Sequence, residues 1–137
     1  MEFEKIIAVS GKPGLFQIIS QSKNAVIAES LLDNKRVAIN ASSNISLLDN
    51  IAIYSYEGDV KLLTIFKTMF EKEGGKETIS HKSSNQEVLS YFLEVLPEFD
   101  EDRVYASNIK KVIQWYNLLV KSGMDFSRIK DEEESEA

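Results

Sequence analysis

The sequence predicts an α+β protein: a small SH3-like or Tudor-like antiparallel β-barrel in the N-terminal half, packed with a three-helix C-terminal half. Three observations predict it. Runs rich in branched and aromatic residues recur at close spacing between Leu15 and Tyr56, punctuated by turn formers. From Val60 onward the apolar residues recur at helical spacing instead. One short stretch, Ser43–Asn50, suits a single helical turn before the last strand, the order found in such barrels. The expected organisation is a barrel with a short N-terminal helix over 1–58, a helical domain over 59–130, and a disordered acidic tail over 131–137.

Each element follows from local chemistry. Phe3, Ile6 and Ile7 fall at i, i+3, i+4, which predicts a short helix over 2–9, ended by Gly11. Lys12-Pro13-Gly14 reads as a tight turn, because proline fixes φ and glycine permits the left-handed region. Leu15–Gln21, Ala25–Leu31 and Lys35–Ala41 read as strands. The last of these alternates, with Val37, Ile39 and Ala41 on one face. Asp33-Asn34 suits a two-residue hairpin turn. Ile51–Tyr56 reads as a fourth strand with Tyr54 and Tyr56 on one face. A flat antiparallel sheet covered by helices would give the same runs.

In the second half, Asp59 is the expected cap of a helix over 60–73, which Gly74-Gly75 stops. Residues 76–83 are polar and read as a loop. Ser84-Asn85-Gln86-Glu87 matches a capping box, and the helix it opens ends before Pro97. Glu98–Asp102 reads as an exposed acidic link. Ser107 is the expected cap of a last helix, from Asn108 to about Ser122. Apolar residues take most of its circumference, so it should be central, and part of that surface suits a second copy of the chain.

Composition bounds the function. The chain has 137 residues, 43% hydrophobic and 28% charged, the balance of a globular protein with its own core. It has no cysteine, which excludes disulfides, thiolate metal sites and cysteine nucleophiles. The N-terminal residues lack the basic lead of a signal peptide, and the apolar run Ile6–Val9 is far short of a membrane span. A cytoplasmic location without membrane contact is therefore expected. The net charge is −6, yet residues 131–137 hold five acids and no base. The body is nearly neutral, which disfavours nucleic acid as a partner without removing it.

Three phrases carry a resemblance. They are Ser10-Gly11-Lys12-Pro13-Gly14-Leu15-Phe16, then Glu29-Ser30-Leu31-Leu32-Asp33, then Asp102-Arg103-Val104-Tyr105 leading into Trp115-Tyr116-Asn117. Together they resemble an uncharacterised domain-of-unknown-function family of small proteins from Bacteroidota, over nearly the whole chain except the tail. The resemblance implies a bacterial, cytoplasmic setting and transfers no site residues.

Groups for catalysis are scarce. His81 is the one histidine, in a polar loop, with no second histidine or cysteine to complete a zinc site or a triad. Gly11-Lys12-Pro13-Gly14 lacks P-loop spacing, and proline deletes an amide that a phosphate cradle uses. Glu98–Asp102 lacks the alternating ligands of a calcium loop. No cofactor, metal or catalytic residue is assigned, and an enzyme is not expected. Two features suit binding. Phe16, Tyr54 and Tyr56 could form an aromatic face, if it is exposed rather than buried against the helices. Lys110, Gln114, Asn117 and Lys121 share one polar stripe of the last helix. The expected function is a non-enzymatic protein-interaction module, with an unknown protein partner or self-association. The alternative is an RNA- or ribosome-associated factor.

Overall fold

The computed structural model describes residues 1–129. The expectation for residues 131–137 lies outside them. The fold is α+β, with a five-stranded antiparallel sheet, a two-stranded sheet and three α-helices. The chain divides into two compact units, Met1–Ile51 and Ala52–Ala137.

The first unit contains β1 (Ile6–Val9), β2 (Phe16–Gln21), β3 (Ala25–Ser30), β4 (Arg36–Asn40) and β5 (Ile45–Leu47), ordered β4-β3-β2-β1-β5. Four of these strands form a meander, and β5 returns to pair with β1 through Ile7↔Leu47 and Val9↔Ile45. Among the described residues no pairing closes β5 onto β4. Ile7, Val9, Phe16, Ala28 and Ile39 form the core, flanked by Ile18, Val26, Val37, Ile45 and Leu47. Full burial of an aliphatic side chain such as Ile7 stabilises by about 1.5–3 kcal/mol.

The structure corrects the expected N-terminal helix. Only Phe3–Lys5 form a 3-10 turn, and Ile6–Val9 form a strand inside the sheet. Ile6 and Ile7 are both fully buried, so the strand is apolar on both faces and its spacing imitates a helix. The turn between β3 and β4 is also longer than two residues. It spans 31–35, with Asn34 at φ +60° and the Asp33 carboxylate accepting from Lys35 N at 2.9 Å.

The second unit begins with a hairpin, β6 (Ala52–Ser55) and β7 (Gly58–Lys61). The fourth predicted strand therefore pairs with the segment expected to start a helix, not with the strands before it. The helix there, α1 (Leu62–Lys72), starts later and is capped by neither Asp59 nor another side chain. Gly74 and Gly75 end it at φ +64° and +82°, and Gly75 N reaches back to Phe70 O. The next helix, α2 (Asn85–Val95), opens as expected at Ser84, whose hydroxyl accepts from Glu87 N at 3.2 Å. That hydroxyl also donates to Glu87 Oε1, so the glutamate holds the cap itself. The last helix, α3 (Ala106–Lys121), begins before Ser107, and Asn108 accepts from Tyr105 N at 2.9 Å. Phe66, Tyr116 and Phe126 cluster within this unit with ring centres 5.5–6.2 Å apart, Tyr116 and Phe126 stacked and Phe66 tilted against both. Among the described residues, no helix is long and apolar enough to cross a membrane.

Candidate functional site

The β6–β7 hairpin turns in two residues, Tyr56 and Glu57, between the paired Ser55 and Gly58. The Ser55 hydroxyl staples that turn, donating to Gly58 O and accepting from Glu57 N. On its other side β6 is joined by the segment after α2. Tyr56 N donates to Glu98 O at 2.8 Å, Asp100 N donates to Tyr54 O at 3.0 Å, and Ser55 bridges Phe99. The stretch expected to be a free acidic link is thus a third strand in all but length. It makes β6 the central strand of a small sheet.

Strand alternation sorts the side chains. Ser55 and Phe99 are buried, while Tyr54 and Tyr56 are 44% and 62% exposed. Tyr54 stands opposite Asp59 in the pairing register. The aromatic face is therefore turned to solvent, which resolves the two readings the sequence left open. Arg103 lies over the Tyr54 ring, 4.1 Å from its centre. Its Nε donates to Asp100 at 2.8 Å. Asp102 N also donates to Asp100, at 3.0 Å. These donors, the Arg103 bond first, hold the Asp100 carboxyl below its usual range. The same bond raises the Arg103 guanidinium. Tyr56 is fixed at its far end, where its hydroxyl accepts from Glu101 N at 3.2 Å. Glu98 is pushed above the usual carboxylate range, first by its hydrogen bond to the Glu57 carboxyl and then by that group's charge.

The structure brings together only part of the predicted set. Tyr54 and Tyr56 share the face. Phe16 does not join them, because it is 5% exposed in the core of the first unit. Lys110, Gln114, Asn117 and Lys121 all lie on α3, but Asn117 faces the loop before α2. It accepts from Thr78 N at 2.8 Å and donates to Ile79 O at 3.0 Å, so it latches that loop. Lys110 is half-buried, and Gln114 and Lys121 are exposed. Arg103, Asp100 and Glu101 were missed as site residues. No local signal points to them, because residues 98–100 reach β6 through backbone groups that every sequence possesses.

Other chemistry is sparse. His81 sits in the loop after α1, and no group of three or more metal-ligating side chains occurs among the described residues. An open groove of about 780 Å³ runs along α1, lined by Thr64, Lys67, Glu71, Asp125 and neighbours, with charges of both signs. Lys67 there donates to Ile129 O.

Comparison with known proteins gives two family models and a solved structure. Residues 3–48 match a domain of unknown function (DUF5606), and residues 51–119 match a second (DUF6852). The two matches meet where the chain divides into its units. A solution NMR structure of a Bacteroides vulgatus protein, a structural genomics target, is 40% identical, with 91% of each chain covered and a TM-score of 0.75. The comparison with curated proteins gave no match.

Proposed function

The chain belongs to an uncharacterised Bacteroidota family that joins two domains of unknown function, DUF5606 and DUF6852, a membership that carries no activity, and from the chain's own geometry we propose that it is a non-enzymatic protein-interaction module. One observation carries the reading. Two tyrosines stand exposed on a sheet that fixes both of them, Tyr54 beneath Arg103 and Tyr56 through Glu101 N. Exposed tyrosine and arginine at a rigid surface are the residues that anchor protein interfaces, because they bury much area at little entropic cost. Acids border this face, which disfavours a phosphate backbone as its ligand.

We further infer that the first unit's sheet curls as an SH3-like barrel does. The return of β5 beside β1 supports this, as does the register shift between Ile18 and Ser20, since bulges sharpen twist. A bacterial cytoplasmic setting suits the absence of cysteine.

The test is capture from native lysate on immobilised wild-type protein and on a Tyr54→Ala/Tyr56→Ala variant of matched folding by circular dichroism. Proteins retained by the wild type and lost with the variant are the expected result. Identical recovery on both surfaces, or none on either, overturns the reading.

A further inference from the structure

The charges around the tyrosine face are lopsided. Arg103 is committed to Asp100 at 2.8 Å, so that pair is internally balanced. The β6–β7 hairpin and the segment paired with it carry Glu57, Asp59, Glu98, Glu101 and Asp102. The ion pairs among the described residues include none that neutralises Glu57, Glu98, Glu101 or Asp102. Lys61, opposite Ala52 at the far end of β7, is the remaining base on these strands.

Two of the acids are held against each other. Glu57 follows Tyr56 in the hairpin turn, and the backbone brings Glu98 alongside through Tyr56 N to Glu98 O at 2.8 Å. Neighbouring acids of like charge repel when ionised, and a cation arriving between them lessens the repulsion. The ring beside them is Tyr56, and no cation covers it among the described residues. Tyr54, one residue pair away, already carries a cation on its ring in the form of Arg103. The face therefore offers a second aromatic ring with carboxylates beside it, the pairing that attracts ammonium and guanidinium groups.

We propose that the Tyr54–Tyr56 face docks a basic segment of a partner protein, with a lysine or arginine side chain seated on the Tyr56 ring between Glu57 and Glu98. This deepens the protein-interaction reading, rests on it, and commits to the partner's charge. Exposed carboxylates give such a complex strong salt dependence.

The experiment uses the full chain and a fluorescein-labelled lysine–alanine decapeptide, followed by fluorescence anisotropy, with a glutamate–alanine decapeptide as the control. The lysine peptide should bind and the glutamate peptide should not, and added salt should weaken binding. Tyr56→Ala and Glu57→Gln/Glu98→Gln should each weaken binding by roughly 5- to 10-fold, whereas Tyr56→Phe keeps the ring and should stay within about 2-fold. Glu132→Gln/Glu133→Gln/Glu134→Gln should leave binding unchanged. Circular dichroism melts confirm that each variant folds. Absence of lysine-peptide binding overturns the proposal. So does binding that ignores the Tyr56 and Glu57/Glu98 changes but falls with the Glu132–Glu134 change, which marks unspecific attraction to the C-terminal acids. If lysate capture still depends on Tyr54 and Tyr56 in that case, the interaction module stands and only the basic partner falls. If capture fails as well, both fall.

Discussion

Arg103 joins Tyr54 to Asp100: its guanidinium lies 4.1 Å from the Tyr54 ring centre while its Nε donates to the Asp100 carboxylate at 2.8 Å. Asp100 itself is 8% exposed. Removing the arginine therefore strands a carboxylate that the fold has taken mostly out of water. Arg103→Ala should lower the melting temperature more than Asp100→Asn does, because the guanidinium that the latter leaves unpaired is more than half exposed to solvent, whereas the carboxylate is not. Arg103→Lys should restore it only in part, since an ammonium lacks the flat stacking surface. The pair also sets an acid limit. A carboxyl depressed in the folded state contributes stability that is present above its unfolded value and lost as pH falls through its folded one. Acid melts below about pH 4 should separate wild type from Asp100→Asn less and less. A gap that widens on acidification would refute the assignment.

Tyr116 gives the opposite sign. It is fully buried on α3, and its hydroxyl donates to Lys76 O at 2.8 Å. Burial, helped by the Glu73 charge, pushes its phenol up to about 12. Stability from a raised phenol is complete below the unfolded value near 10 and is lost as pH climbs through the folded one. Phenolate absorbance should therefore show a late-ionising group that disappears in Tyr116→Phe. That variant should cost about 1 kcal/mol near neutrality, from the unpaired Lys76 carbonyl. Tyr91 shares the direction, first through burial, and its hydroxyl donates to Glu73 at 2.8 Å.

Asn117 latches the loop before α2 to α3. Asn117→Ala breaks the bonds to Thr78 N and Ile79 O together. The expected cost is about 1–2 kcal/mol. Hydrogen exchange at the Thr78 amide should accelerate, with exchange inside α3 little changed. An unchanged Thr78 amide would contradict the latch.

How much of this was legible in the sequence depends on how local the cause is. The Ser84 cap and the Gly74-Gly75 stop act within one turn, so they could be read directly from the residues present. Ile6–Val9 reads as helical because its neighbours bury both faces, and burial on both faces erases the two-residue period. The partner of β6 was hidden for another reason. Residues 98–100 join it through backbone groups, which any sequence possesses. The exposure of Tyr54 and Tyr56 was undecidable for the same cause, since alternation separates two faces without saying which one meets water. Phe16 reads as a neighbour of the two tyrosines only because the sequence does not show how β6 pairs; it lies in the core of the first unit.

Gly14 tests the first unit. Its φ is +73°, and a Cβ there would lie 2.7 Å from Leu32 Cδ1. Gly14→Ala should cost about 1–2 kcal/mol from the left-handed backbone alone, plus whatever the Leu32 clash adds. Adding Leu32→Ala should recover the second part and leave the first. Denaturant melts of the four proteins in the cycle measure the coupling, and strictly additive costs would exclude the clash.

The hydrogen bond from Glu101 N to Tyr56 spans 45 positions of chain, with α1 and α2 in between. Fragment libraries cut between these points would encode both aromatic residues yet display them without their supporting strand or the arginine. Screening by truncation should accordingly return a false negative for every piece that stops short of Arg103, however well that piece is expressed.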